Sequence, residues 1–120
     1  MAQKDVLGRA GEDRAAAHLA GRGWRLLDRN WRCRQGELDI VALDGPDLVV
    51  VEVKTRRTIG FGHPLEAVDE RKRARLWRLA MAWAAAHPEL ARGREIRLDA
   101  VAVIGADAAT AKLEHVVDLR

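Results

Sequence analysis

Two acids and a lysine have the type and spacing for chemistry: Asp39, then Glu52 and Lys54 separated by a single valine. Each lies in a stretch that reads as a β-strand. Glu37 to Leu43 alternates charged and apolar residues, and Leu48 to Lys54 carries the β-branched run Val49, Val50, Val51 and Val53. Asp44-Gly45-Pro46-Asp47 between them is a turn cluster, so the pair is expected to form a β-hairpin. A regular hairpin centred between Gly45 and Pro46 sets Asp39 opposite Glu52 and Glu37 opposite Lys54. Side chains alternate along a strand, so all four project from one face. A bulge at Pro46 would shift that register by one residue.

Opposed carboxylates are costly. At a separation of about 5 Å they repel by roughly 3 kcal/mol at an effective dielectric near 20. A divalent cation between them turns the cost into binding, and hard ions such as Mg²⁺ or Mn²⁺ take carboxylate oxygens. Lys54, on the same side, could orient a water or stabilise a pentacovalent phosphate. That is the chemistry of metal-dependent phosphodiester hydrolysis. A solvated charged face above inward-facing valines would show the same alternation. The nearly continuous apolar run from Leu48 to Val53 separates the two readings, because it expects both faces of the strand to be covered. An acid and a lysine in such a strand are costly unless paired or coordinated.

The elements that must position these residues are legible on either side. From Gln3 to about Gly21 an alanine-rich segment has helical spacing, with Val6, Leu7, Ala10, Arg14, Ala17, His18 and Leu19 along its stripe. Gly21 and Gly23 end it. Trp24 to Asn30 reads as a short strand and Arg32 to Gln35 as a polar connection. Arg56 to His63 is a loop around Phe61, and Pro64 suits the first turn of a short helix. Asp69 is a plausible N-cap for a longer helix to about Ala86, its buried face formed by Leu76, Leu79, Ala80 and Trp83. His87-Pro88 stops it. Arg94 to Ile104 and Lys112 to Leu119 are two further strands, the last at a sheet edge. The order α-β-β-β-α-β-β predicts an α/β fold, a mixed sheet of about five strands flanked by helices, in one domain over residues 1–120.

Composition narrows the function less. With 48% hydrophobic and 32% charged residues the chain reads as a globular protein, and its net charge of +3 leans toward an anionic partner. Only Lys4, Lys54, Lys72 and Lys112 are lysines, a bias toward arginine that a G- and C-rich genome would also produce. Cys33 is the single cysteine, which excludes an internal disulfide or a cysteine-based zinc site. No apolar run approaches the roughly 20 residues that span a bilayer. Met1 to Asp5 is polar with no apolar segment after it, so no signal peptide and a cytoplasmic location are expected.

The pattern of Asp39 followed by Glu52-Val53-Lys54 resembles the bipartite PD-(D/E)xK signature of restriction-endonuclease-like nucleases. A longer series is more specific: Gly8-Arg9-Ala10-Gly11-Glu12, Asn30, Gly36-Glu37-Leu38-Asp39-Ile40-Val41, Val51-Glu52-Val53-Lys54-Thr55-Arg56 and Phe61-Gly62-His63-Pro64. With Lys72 and Arg97-Leu98-Asp99, these segments resemble the YraN-type family of small bacterial proteins across nearly the whole chain. The resemblance implies a nuclease-like fold similar to archaeal Holliday junction resolvases, acting on DNA, branched or damaged DNA included, with Mg²⁺ or Mn²⁺. It adds Glu12 from the first helix to Asp39 and Glu52 as a metal ligand, with the Val53 carbonyl as a further one. Gly8 and Gly11 would let that helix lie close to the sheet. Lys54 is implied as the residue that positions or activates the attacking water. Leu38 stands where the motif's name has proline. Thr55, Arg56, Arg57 and Lys72 are candidates to contact phosphates. Glu37 is either an acid paired with Lys54 or a plain strand charge. Resolvase-like folds often cut as homodimers, for which Trp31 or Trp77 could serve the interface. A nuclease-like module that binds nucleic acid without cutting it, and a structural or interaction protein, are the alternatives.

Overall fold

The computed structural model describes residues 6–60 and 62–119, so the expected helix start at Gln3 and the loop residue Phe61 lie outside it. Helix α1 (Val6–Gly21) leads into strands β1 (Arg25–Cys33), β2 (Gly36–Asp44) and β3 (Asp47–Arg56). A 3₁₀ turn (Pro64–Ala67), α2 (Glu70–Ala86) and α3 (Pro88–Ala91) follow, and β4 (Ile96–Ile104) and β5 (Lys112–Val116) complete the sheet. The strand order is β1-β2-β3-β4-β5. Only β3 and β4 run parallel, because the helical crossover joins them; the other neighbours are antiparallel. This is the mixed five-stranded α/β sheet expected from the sequence.

Helices cover both faces, which explains the unbroken apolar run of β3. Val49, Val51 and Val53 pack with Ala15, Ala16 and Leu19 of α1, while Leu48 and Val50 pack with Leu76, Leu79 and Trp83 of α2. Burying a side chain of this kind contributes about 1.5–3 kcal/mol, so β3 anchors the molecule. The α2 stripe is the one predicted, and Asp69 caps the helix by accepting from the Lys72 N–H at 2.9 Å. The hairpin turn also closes as expected. Asp44 pairs with Asp47 around Gly45, whose φ of 57° suits glycine.

Three expectations need correction. The buried face of α1 is Gly11, Glu12, Ala15, Ala16 and Leu19, not the stripe containing Ala17, and Val6 is 75% exposed. Alanines all round the helix leave no apolar stripe to read, so contact with β3 decides the face. Strand β1 runs on to Cys33, since Trp31, Arg32 and Cys33 pair with Leu38, Glu37 and Gly36. Main-chain pairing there overrides a polar sequence. Strand β5 stops at Val116, and beyond it the Asp118 N–H bonds inward to Asp99 at 3.0 Å.

Candidate functional site

The β2–β3 ladder follows the predicted register from Asp44–Asp47 to Ile40–Val51 and then ends. Past that pair the strands part, and the Val53 N–H donates to Asp39 Oδ2 at 2.8 Å. A carboxylate therefore takes the place of the missing main-chain acceptor. The neighbouring ladder also lapses here. Asn30, across from Asp39, has a φ of 55° and falls between the pairs Arg29–Ile40 and Trp31–Leu38. Asparagine tolerates this left-handed conformation better than most residues. Side-chain alternation breaks at the same point: Leu38 joins Val41 and Leu43 on the α2 side, whereas Ile40 and Ala42 face α1. Asp39 thus stands at a fork in the sheet.

From the α1 side, Glu12 reaches this fork, only 3% exposed. Gly11 brings the helix close enough. A Cβ there would lie 2.1 Å from Thr55 Oγ1, so a side chain fits only if Thr55 turns aside or the helix and strand part. Carboxylate oxygens of Glu12, Glu37 and Asp39 all lie within 4.8 Å of one another. The expected facing of Glu37 and Lys54 is not found, because the ladder ends before it reaches them. Glu37 pairs instead across β1, accepting from Arg32 Nε at 3.2 Å, and joins the acid cluster. Sequence reading missed Glu37 as a candidate ligand. Its place in the Gly36-Glu37-Leu38-Asp39 segment was a signal, but the regular register assigned it elsewhere.

From the α2 side come Glu52, Lys54 and Lys72. Burial, a hydrogen bond with Asp39 and the Asp39 charge together push the Glu52 carboxyl up to about 8, while Lys54 and Lys72 pull the other way. A carboxyl raised by burial and by a neighbouring acid marks a place short of positive charge. Lys72 is one turn before Leu76 on the buried stripe of α2, which carries it toward the sheet. All the clustered donors are carboxylate oxygens, a hard set suited to Mg²⁺ or Mn²⁺ and poorly suited to soft metals.

The remaining candidates surround this centre. Val53 is buried, pairs with Val101 and gives its N–H to Asp39. Thr55 lies under Gly11, and Arg56 and Arg57 are exposed at the end of β3. A cavity of about 250 Å³ opens beside Glu12, lined by Arg9, Asp13, Arg29 and Asn30. Trp31 and Trp77 are partly buried against the α2-side core, and the free Cys33 thiol bonds Gln35 at 3.1 Å. Among the described residues, no helix is long and apolar enough to cross a membrane.

Residues 11–103 match the uncharacterised protein family UPF0102. Members in Arthrobacter sp. (strain FB24) and Paenarthrobacter aurescens (strain TC1) are each 52% identical over 115 residues. The match covers 96% of this chain and 96% and 93% of theirs. A member in Acidothermus cellulolyticus is 62% identical over 84 residues, covering 70% of this chain and 64% of its own. Two solved structures also overlap: a repair endonuclease from Pyrococcus abyssi (17% identity, TM-score 0.48) and an EndoMS–dsDNA2 complex (14%, 0.44). Each overlap covers 91% of this chain but 42% of the other, so the chain spans less than half of either protein. The chain belongs to the UPF0102 family, the YraN-type family its sequence resembles.

Proposed function

We propose that this protein is a DNA endonuclease that hydrolyses phosphodiester bonds with Mg²⁺ or Mn²⁺. The observation that carries the reading is the convergence of Glu12, Glu37 and Asp39 within 4.8 Å, with Glu52 bonded to Asp39. Four acids gathered at a break in the sheet repel one another, and a cation between them would turn that cost into binding. Glu12, Asp39 and Glu52 would hold the metal, with Glu37 beside them and the Val53 carbonyl as a further donor. The bound cation would supply positive charge to the phosphate oxygens.

The chain's own groups do the rest. Hydrolysis adds a water oxygen to phosphorus and releases a sugar oxygen as an alcohol. Lys54, whose charge already acts on Glu52, orients that water and offsets the negative charge that builds on the phosphate. Asp39, fixed by the Val53 N–H, keeps its carboxylate at the fork in a set orientation. Thr55, Arg56, Arg57 and Lys72 supply phosphate contacts around it.

The test uses linear, nicked and four-way-junction DNA with Mn²⁺, alongside calorimetric titration of the metal. Lys54→Ala should bind Mn²⁺ nearly as the parent does and lose about 100-fold or more in cleavage rate, the usual cost of removing one preorganised transition-state donor. Asp39→Asn should lose both metal and cleavage. Equal cleavage by parent and Lys54→Ala on every substrate sinks the catalytic reading. Metal and DNA binding without cleavage would leave a nuclease-like binding module.

A further inference from the structure

Helix α2 carries charge that the metal centre does not use. Its first half holds Arg71, Lys72, Arg75 and Arg78, which with Asp69 line a surface cavity of about 370 Å³. Arg71, Arg75 and Arg78 are exposed and spaced four and three residues apart, so they form one stripe along the helix. Like charges at this spacing cost a helix a few tenths of a kcal/mol per pair. Among the described residues, no ion pair with any carboxylate relieves them, although Arg29, Arg32 and Arg97 all have such partners. The stripe has a defined position. Lys72 is exposed, one turn before the buried Leu76, and its charge reaches Glu52. Arg75 lies over Gly36, where a Cβ would come within 2.5 Å of its guanidinium, and Gly36 precedes Glu37 of the acid cluster. A row of uncompensated cations therefore starts at the candidate metal centre and leads away from it over the surface.

We infer that the Arg71–Arg75–Arg78 stripe of α2 is a phosphate track that holds the DNA strand leading into the metal centre. This rests on the nuclease reading above and assigns the track's ligand as consecutive backbone phosphates rather than bases. A helix rises about 1.5 Å per residue, so the stripe spans roughly 10 Å. Phosphates along one DNA strand are spaced by several ångströms, so two or three can meet three guanidiniums over that length. Arginine suits the task because its planar fork accepts phosphate oxygens in pairs. Binding through the track is independent of base sequence and strongly dependent on salt.

The experiment measures anisotropy of a labelled DNA duplex and a four-way junction across a salt series, with Ca²⁺ replacing Mn²⁺. The variant is the triple Arg71→Gln, Arg75→Gln, Arg78→Gln. A charge-matched control carries Arg22→Gln, Arg25→Gln and Arg92→Gln, exposed positions away from α2's first half, toward the hairpin-turn end of the sheet. Each phosphate contact contributes about 0.9 to the slope of log affinity against log salt, so the track variant should lose about 2 to 3 from that slope. It should bind at least 10-fold more weakly near 100 mM salt, a loss of about 1.4 kcal/mol. Mn²⁺ affinity should stay within twofold, because no metal ligand is touched, and melting temperature should hold or rise as repulsion is relieved. The control should move the slope by less than 1. If track and control variants weaken alike, net charge is the cause and the track is overturned. If the track variant binds as the parent does, the inference fails while the nuclease reading stands. If the parent binds neither DNA, both fail together.

Discussion

Two sets of buried acids share the sheet, and the chain treats them in opposite ways. Asp99 on β4 is fully buried and fully answered. Arg97 Nε and Nη2 donate to it at 2.9 and 3.0 Å, His115 Nε2 at 2.9 Å and the Asp118 N–H at 3.0 Å. Arg97 extends the network to Asp44 at 3.0 Å and Asp47 at 3.1 Å, tying the hairpin turn to β4. Burial alone would raise the Asp99 carboxyl, but bonds from His115, Arg97 and the Asp118 N–H bring it below the usual carboxylate range. At the fork the balance runs the other way. Glu52 is raised to about 8 by burial and by its hydrogen bond with another acid, Asp39. A buried acid whose bonds are complete is built to hold the fold. The Glu52–Asp39 pair joins acid to acid instead, and it is where the proposed cation would act.

The contrast breaks most sharply under mutation. Asp99→Ala leaves the buried His115 and the Asp118 N–H without their acceptor and takes two of Arg97's bonds, and should cost about 3 kcal/mol or more by denaturant melting. Glu52→Gln or Asp39→Asn without metal removes repulsion, and should leave stability within about 1 kcal/mol of the parent or raise it. The same two variants should abolish Mn²⁺ binding, while any Asp99 variant that folds should retain it. Similar losses of stability at both places would erase the distinction.

A pH series sharpens it next. Glu52 takes up a proton at higher pH when folded than when unfolded, so the folded state binds more protons between about 4.5 and 8. Its contribution therefore makes metal-free protein less stable as pH rises through that window. Asp99 is shifted downward, so its contribution is present above the unfolded value of 3.8 and lost as pH falls further. Glu52→Gln should remove the decline toward pH 8 and leave the acid limb unchanged. Mn²⁺ should flatten the decline in the parent, because it competes with the Glu52 proton. Its affinity should rise by up to about tenfold per pH unit in the same window. A decline that persists in Glu52→Gln would place its origin elsewhere.

How much of this was legible follows from where side chains override the main chain. The hairpin register could be read because Gly45-Pro46 and the alternation of β2 both act locally. The covering of β3 could be read because a strand buried on two faces has no polar alternation to show. The fork could not. It arises where the Asp39 carboxylate replaces a main-chain acceptor and Asn30 leaves the ladder, and neither event has a period in the sequence. Glu37 was assigned to Lys54 for that reason, although its partner lies on β1. The donors around Asp99 come from Arg97, His115 and Asp118, up to 19 residues away, so only the Arg97-Leu98-Asp99 segment hinted at them.

The finest difference between the two places is how each acid is carried. Asp99 rides on a central strand, whereas Glu12 depends on α1 lying against Thr55 at Gly11. Gly11→Ala sets two effects against each other. Alanine favours a helix by up to about 1 kcal/mol over glycine, while the collision with Thr55 costs about 1–3 kcal/mol. Net stability should therefore change little, and relief of the clash by backing α1 off the strand should carry Glu12 with it. Mn²⁺ affinity should fall several-fold, since misplacing one ligand by a few tenths of an ångström weakens a shared site more than it weakens a core. Thr55→Ala removes the atoms at 2.1 and 3.0 Å and leaves the Cβ at 3.1 Å, a contact that small shifts can absorb. The double variant should regain most of the lost affinity. Failure of that rescue would mean that Glu12 is held by something other than the close approach of helix and strand.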